Sequence, residues 1–247
     1  MATRNVAAYI LVMVTPVIEL AGVRKSFPQP EGGRVEILDV PELTIPAGAQ
    51  VALEGASGSG KSTLLNVIAG ILRPDAGHVL VDGIDITRLA EPQRDRLRAD
   101  KLGLVFQAFN LLPGFTALEN VLVAMSFGSD RPDRRRAEGL LDAVGLSHRL
   151  GYRPAQLSVG QQQRVAVARA LANRPRVVLA DEPTASVDPA HQEQVIDLLR
   201  DTCSAHGVAL VVVTHAPEVA GLFPRRLRLE HFNRAAAGHA RATVGGE

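Results

Sequence analysis

The run Gly55-Ala56-Ser57-Gly58-Ser59-Gly60-Lys61-Ser62 constrains this 247-residue chain more than any other segment. It fits G-x-x-x-x-G-K-[ST], follows an apolar strand-like run over residues 50–53, and leads through Thr63 into an apolar helical pattern closed by Gly70. Glycines in such a loop let backbone N–H groups converge on phosphate oxygens, and the start of the following helix adds a positive dipole end. Lys61 is then the side chain expected to reach the β- and γ-phosphates, and the Ser62 hydroxyl the one expected to ligate Mg²⁺. A Gly/Ser-rich linker has a similar composition, but a linker has no need of a strand before it and a helix after it.

A second segment completes the pattern. Val177-Val178-Leu179-Ala180-Asp181-Glu182 reads as a buried strand that delivers two carboxylates at its C-terminal end, where open α/β sheets bind ligands. Asp181 suits the metal through water. Glu182 suits orienting and deprotonating an attacking water, because phosphoryl transfer to water mainly needs positioning and charge stabilisation.

The surrounding text supports an α/β fold. Short β-type runs over residues 17–23, 34–38 and 50–53 are separated by turns rich in Pro and Gly, and residues 73–77 read as a turn before a strand at 78–81. From about residue 91 to 153 the chain is helical and charged. The triple arginine Arg134–Arg136 sits there, and acidic and apolar residues at helical spacing after it favour a solvated helix face over a nucleic-acid patch. The α/β rhythm then resumes, with helices over 161–172 and 191–204 and buried strands over 177–180 and 208–213. Continuous apolar strands between helices imply a parallel sheet covered on both faces.

Bulk properties remove several classes. Lys and Arg number 27 against 26 Asp and Glu, which argues against a dedicated DNA-binding surface. The single cysteine, Cys203, excludes an internal disulfide, reads as a small packed or surface residue, and fits a reducing, cytoplasmic location. The apolar run over residues 7–14, with Arg4 ahead of it, loosely resembles a signal peptide but falls short of the about 20 residues a membrane helix needs. A disordered extension, or a natural start at Met13, is the preferred reading. No other stretch reaches spanning length.

These residues carry a family resemblance. Leu157-Ser158-Val159-Gly160-Gln161-Gln162-Gln163-Arg164 resembles the signature segment of ATP-binding cassette (ABC) ATPases. Gln107 resembles that family's Q-loop glutamine, Ser186-Val187-Asp188 its D-loop, His215 its switch histidine, and Phe27 its adenine-stacking aromatic. The resemblance runs in register from about residue 17 to 230. It implies a P-loop NTPase core with a parallel sheet, an N-terminal antiparallel β subdomain and an inserted α-helical subdomain. The corresponding divisions are an extension to residue 16, a β and phosphate-loop part over 17–90, a helical part over 91–160, the rest of the core over 161–230 and a flexible tail over 231–247.

The resemblance also implies roles. The phosphate site comprises Gly55, Ser57, Gly58, Ser59, Gly60, Lys61, Ser62 and Thr63; Ser62, Gln107 and Asp181 serve Mg²⁺; Glu182, His215 and Gln107 act in hydrolysis. Ser158, Gly160, Gln161 and Asp188 serve ATP held by a second copy packed head to tail. A serine hydroxyl and N–H groups at a helix start suit an anion, but the phosphate already bound in the same chain has no use for them. The chain departs from the usual L-S-G-G-Q in having Val159, from the usual acidic residue after the histidine in having Ala216, and it carries Glu54 just before the phosphate loop.

The pattern over residues 111–121, Leu-Leu-Pro-Gly-Phe-Thr-Ala-Leu-Glu-Asn-Val, resembles the lipoprotein-release, macrolide-export and cell-division group. That resemblance implies an ATPase subunit at the cytoplasmic face of the inner membrane, docked through this segment on a separate membrane permease, with no nucleic-acid partner. The alternative is a soluble cassette ATPase acting on DNA or ribosomes. A third reading is a slow regulator made so by Val159.

Overall fold

The computed structural model describes residues 15–30, 32–185 and 187–235, with no account of the Pro189 side chain. The apolar run at 7–14, most of the expected tail and Ser186 lie outside the described residues. Two sheets organise the chain. The first is antiparallel, in the order β2-β1-β4-β5, from β1 (Pro16–Pro28), β2 (Arg34–Pro46), β4 (Ala76–Val81) and β5 (Ile84–Asp85). The second is parallel, in the order β6-β7-β8-β3-β9, from β3 (Gln50–Glu54), β6 (Leu102–Val105), β7 (Val177–Asp181), β8 (Ala209–Thr214) and β9 (Arg225–Arg228).

Alternation along the central strands explains why they read as unbroken apolar runs. On β7, Val178 and Ala180 enter a core shared with the helices α3 (Ala117–Ser126), α4 (Arg134–Ala143), α5 (Val159–Ala170) and α6 (Pro189–Ala205). Val177 and Leu179 enter a second core with the antiparallel sheet and α1 (Lys61–Ile68). Every residue of β8 is buried on one side or the other. Both faces are covered, as parallel sheets require.

Three strands escaped the sequence reading, the two-residue β5 among them. β6 lies inside the stretch read as helical, directly after α2 (Glu91–Lys101). It is only four residues long and contains Gly103, where an added Cβ would lie 2.3 Å from the Ala170 carbonyl oxygen. That approach needs glycine, which weakens a strand signal. β9 reads Arg-Arg-Leu-Arg and forms the sheet edge, where charged side chains are expected and apolar patterning is lost. β1 and β2 also run five and eight residues beyond the expected strand ends at 23 and 38, reaching Pro28 and Pro46, and that extension carries Phe27 into a strand. The remaining elements are the short helices α7 (Pro217–Gly221) and α8 (Leu229–Phe232). Among the described residues, no helix is long and apolar enough to cross a membrane.

Candidate functional site

β3 ends at Glu54 and the chain enters the loop that starts α1. Gly58 and Gly60 have φ of 77° and 97°, a left-handed backbone that glycine adopts at little cost. Gly60 is also pressed against β2, since an added Cβ would meet Ile37 Cγ2 at 2.8 Å. Gly60 is the N-cap of α1 and supplies no side-chain cap, and the first turn holds no acidic residue. A side-chain cap is worth about 1 kcal/mol. Burying Leu64, Leu65, Val67 and Ile68 contributes about 1.5–3 kcal/mol each for the larger side chains, so the helix forms without one. Its first N–H groups and its positive dipole end are thereby left for an anion.

Lys61 is buried although charged, with 7% of its surface exposed. Its Nζ donates to the carbonyl oxygens of Gly55 and Ala56, both at 2.8 Å. Burial holds its pKa below the ordinary 10.5, while the carboxylates of Glu182 and Asp181 act in the opposite sense. Asp181, at the end of β7, is shifted the other way. Burial raises its pKa above 3.8 and the neighbouring Glu182 charge adds to this, against a hydrogen bond from Ser62 and the charge of Lys61. Its Oδ1 is buried without a hydrogen-bond partner. A buried carboxylate oxygen lacking a donor, beside a serine hydroxyl, fits a hydrated divalent cation. Among the described residues no group of three His, Cys, Asp or Glu could hold a metal unaided. A magnesium ion here would therefore depend on phosphate oxygens, as Mg²⁺ at nucleotide sites ordinarily does.

Glu182 follows directly with φ of 46°, a conformation non-glycine residues seldom adopt and one that concentrates at functional sites. Its N–H donates to Val213 O at 2.9 Å, and its Oε1 lies 2.8 Å from His215 Nδ1. His215 comes from the segment just after β8, the neighbour of β7. An ionised carboxylate only accepts, so the pair places the shared hydrogen on Nδ1 and leaves Nε2 as the other ring atom.

The structure brings most of the expected residues around one cleft of about 540 Å³: Phe27, Ser57, Gly58, Gly60, Lys61, Ser62, Thr63, Gln107, Glu182 and His215. Gly55 and Ser59 belong to the same loop without lining the cleft, and an added Cβ on Gly55 would lie 2.8 Å from Ser59 Oγ. Phe27 stands half-buried on the cleft wall, with Lys25 Nζ 5.6 Å from its ring centroid. Gln107 is exposed on the loop after β6. Ile37 and Ala185 also line the cleft. Neither was singled out from sequence, because an apolar wall carries no chemical signature.

Four expected residues lie elsewhere. Ser158 caps α5, and its Oγ accepts from Gln161 N–H at 3.3 Å while Gln161 Oε1 accepts from Ser158 N–H at 3.0 Å. Asp188 caps α6 by accepting from Ala190 N–H at 2.9 Å. Gly160 and Asp188 line a separate cleft of about 320 Å³, and none of the four lines the phosphate-loop cleft. Val159 is the first residue of α5, 52% exposed, and is not among the residues with positive φ. Its β-branch therefore imposes no backbone strain. Glu54 is matched in register to Arg228 on β9, whose Nε lies 3.9 Å from Glu54 Oε2. Ala216 is held by donating its N–H to Thr214 Oγ1 at 3.1 Å.

Comparison with known proteins decides the family. The ABC transporter family model matches residues 38–185. The chain belongs to the ABC transporter family. Within it, the lipoprotein-releasing system ATP-binding protein LolD 2 of Caulobacter vibrioides is 44% identical over 220 residues, covering 88% of this chain and 96% of the relative. The corresponding LolD of Nitrobacter hamburgensis is 46% identical over 219 residues, 87% of this chain and 94% of the relative. The macrolide export ATP-binding/permease protein MacB of Marinobacter nauticus is 44% identical over 216 residues, but this chain spans only 33% of its length. Among solved structures, a dimeric ATP-binding cassette in a post-hydrolysis state bound to ADP and Pi superposes with a TM-score of 0.76 at 39% identity, covering 85% of this chain and 93% of that one. This ABC protein thus has the P-loop NTPase fold expected of it, and it is an ATP-binding, ATP-hydrolysing subunit of the transport class.

Proposed function

We propose that this ABC protein drives a separate membrane-embedded permease of the lipoprotein-release or macrolide-export kind, working as a head-to-tail homodimer at the cytoplasmic face of the membrane. One observation carries the reading: the two helix starts expected to meet phosphate, those of α1 and α5, do not share a cleft. The start of α1, with Lys61, belongs to the cleft of Glu182 and His215, while Ser158 and Gly160 lie outside it. A second copy, reversed, supplies its own Ser158, Gly160, Gln161 and Asp188 to the nucleotide.

In this scheme Phe27 stacks on adenine, and the loop N–H groups of residues 57–63 and Lys61 hold the phosphates. Ser62, Gln107 and, through water, Asp181 would hold Mg²⁺, which would supply neutralisation of phosphate charge. Glu182 accepts a proton from the attacking water, His215 fixes the Glu182 carboxylate and presents Nε2 to the γ-phosphate, and Gln107 senses the γ-phosphate.

The partner would meet the segment at residues 111–121. There Leu112 and Phe115 are 39% and 43% exposed, which leaves apolar surface for a partner to cover. The buried Asn120 fastens the segment, with Oδ1 accepting from Leu112 N–H at 2.8 Å and Nδ2 donating to the carbonyl oxygens of Leu112, Phe115 and Thr116.

Glu182→Gln in the full-length chain tests the scheme. With ATP it should form a stable dimer by light scattering and recover a membrane permease from detergent extracts. A variant that hydrolyses ATP at the native rate, or stays monomeric with ATP bound, would refute it. Recovery of ribosomal or DNA-processing proteins in place of a permease would favour the soluble-ATPase alternative.

A further inference from the structure

Gln163 lies on α5, five residues after the Ser158 cap, about 7.5 Å along the helix axis. It is 1% exposed, and its Nε2 donates to the carbonyl oxygen of Pro183 at 2.6 Å. Pro183 is the residue after Glu182, which holds the left-handed conformation. The turn is pinned on its other sides by Glu182 N–H to Val213 O at 2.9 Å and by Ala185 N–H to Glu182 O at 3.1 Å. Gln163 is thus the side chain through which the signature helix grips the turn that aims Glu182.

The amide is an expensive choice for packing alone. Its Oε1 is buried with no hydrogen-bond partner. An apolar side chain of the same shape would fill that space without desolvating an acceptor. What the amide provides is a single directed bond. The alternative rotamer, with Oε1 against the Pro183 oxygen, sets two acceptors together, so the donor orientation is fixed.

We infer that Gln163 is a positioning residue that transmits engagement of the signature helix by the nucleotide across the dimer to the catalytic Glu182 of the same chain. The inference rests on the head-to-tail reading. In that arrangement Ser158 of one chain serves the partner's ATP while Glu182 serves the chain's own. A rigid bond between α5 and the Glu182 turn therefore links the two sites of the dimer. Movement of α5 as it closes on one phosphate re-aims the water-activating carboxylate at the other.

The test uses full-length Gln163→Met and Gln163→Glu with steady-state ATP hydrolysis, thermal unfolding and ATP-dependent dimerisation in the Glu182→Gln background. Gln163→Met keeps the volume and removes the donor. It should leave the ATP KM within about twofold, lower kcat by on the order of tenfold to a hundredfold, and bring the Hill coefficient from above 1 to about 1. A buried carboxyl holds its proton to higher pH than an exposed one. The carboxyl introduced by Gln163→Glu therefore donates to Pro183 O when protonated and repels it when ionised. Its kcat should approach native on the acid side and fall away towards alkaline pH more steeply than the native profile. This pH signature reports the bond even if Gln163→Met folds poorly.

Native kcat and an unchanged Hill coefficient in Gln163→Met would overturn the inference, as would a Gln163→Glu profile parallel to the native one. So would a loss of kcat matched by a loss of thermal stability with cooperativity intact. A native chain that shows a Hill coefficient of 1 and no ATP-dependent dimer refutes the head-to-tail reading, and the relay with it. A native chain that is cooperative and dimeric isolates any failure to Gln163.

Discussion

Lys61→Met separates binding from folding. The native ammonium sits in a place that burial makes unfavourable for a charge, and the carboxylates of Glu182 and Asp181 only partly offset this. Its folded-state pKa lies below the unfolded value of 10.5, so the unfolded chain binds the proton more readily. The resulting penalty on the fold is fully present at neutral pH and fades as pH rises towards 10.5. Replacing the ammonium by a thioether removes that penalty and also removes two hydrogen bonds. The Ala56 carbonyl keeps Ser59 N–H at 3.2 Å, so only the Gly55 carbonyl is left short of a donor. The two changes oppose each other, and stability should stay within about 1 kcal/mol of native, well under the about 2–5 kcal/mol of a core truncation. Activity should not survive. Two charge-assisted bonds to phosphates at about 1.5–3 kcal/mol each amount to roughly 3–6 kcal/mol, on the order of a hundredfold to ten-thousandfold in kcat/KM.

The chain has no Trp and two Tyr, so urea unfolding is best followed by far-UV circular dichroism, alongside phosphate release. ATP at 100 times its Kd should stabilise the native chain by about 2.7 kcal/mol and Lys61→Met by less than about 0.5 kcal/mol. Native turnover in the variant would refute the phosphate assignment. A stability loss above about 2 kcal/mol would refute the reasoning differently, by making Lys61 a structural staple.

Asp181→Asn should raise the unfolding midpoint without nucleotide at neutral pH while abolishing Mg²⁺-dependent hydrolysis. Because burial raises the Asp181 pKa, the native penalty is present above that raised pKa and relieved as pH falls through it, so the two midpoints should converge in acid. Asp75 behaves oppositely. The Ser26 N–H at 2.7 Å, with the Ser26 hydroxyl and Lys25, holds its pKa down at about 2, so its contribution is present above 3.8 and lost as pH falls through about 2. Asp75→Asn should lower the midpoint at pH 7 by the equivalent of about 1 kcal/mol, discounted for its exposure, and by progressively less as pH falls through about 2. Val159→Gly should fold normally, with a stability change of about 1 kcal/mol or less, and should hydrolyse ATP at least as fast as native; a slower variant would mean that the exposed isopropyl group helps the dimer close. Cys203 is 1% exposed and burial pushes its pKa up to about 12, so a thiol reagent should label it only after urea is added.

How legible the molecule was follows from the range of each interaction. The phosphate loop could be read because its chemistry is local: glycines with positive φ, a lysine and a serine within eight residues. β7 and β8 could be read because burial on both faces writes an unbroken apolar run. β6 and β9 could not, because one depends on the Ala170 carbonyl pressing on Gly103 from a helix 67 residues later in the chain, and the other is an edge strand made of arginines. The same logic sorts the site. Glu182 was expected from its place at a strand end and His215 from the family resemblance, but the 2.8 Å bond between them exists only because β7 and β8 are neighbours. Gln163 passed without notice as one of three consecutive glutamines. Its distinction arises from helix phase: Gln162 Nε2 turns back to the carbonyls of Pro154 and Leu157, and Gln161 closes the Ser158 cap. Gln163 faces inward to Pro183. Three identical side chains thus do three different jobs within one turn of α5. A pattern of letters records their identity, but only the direction each points from the helix assigns the hydrogen bond, and with it the role.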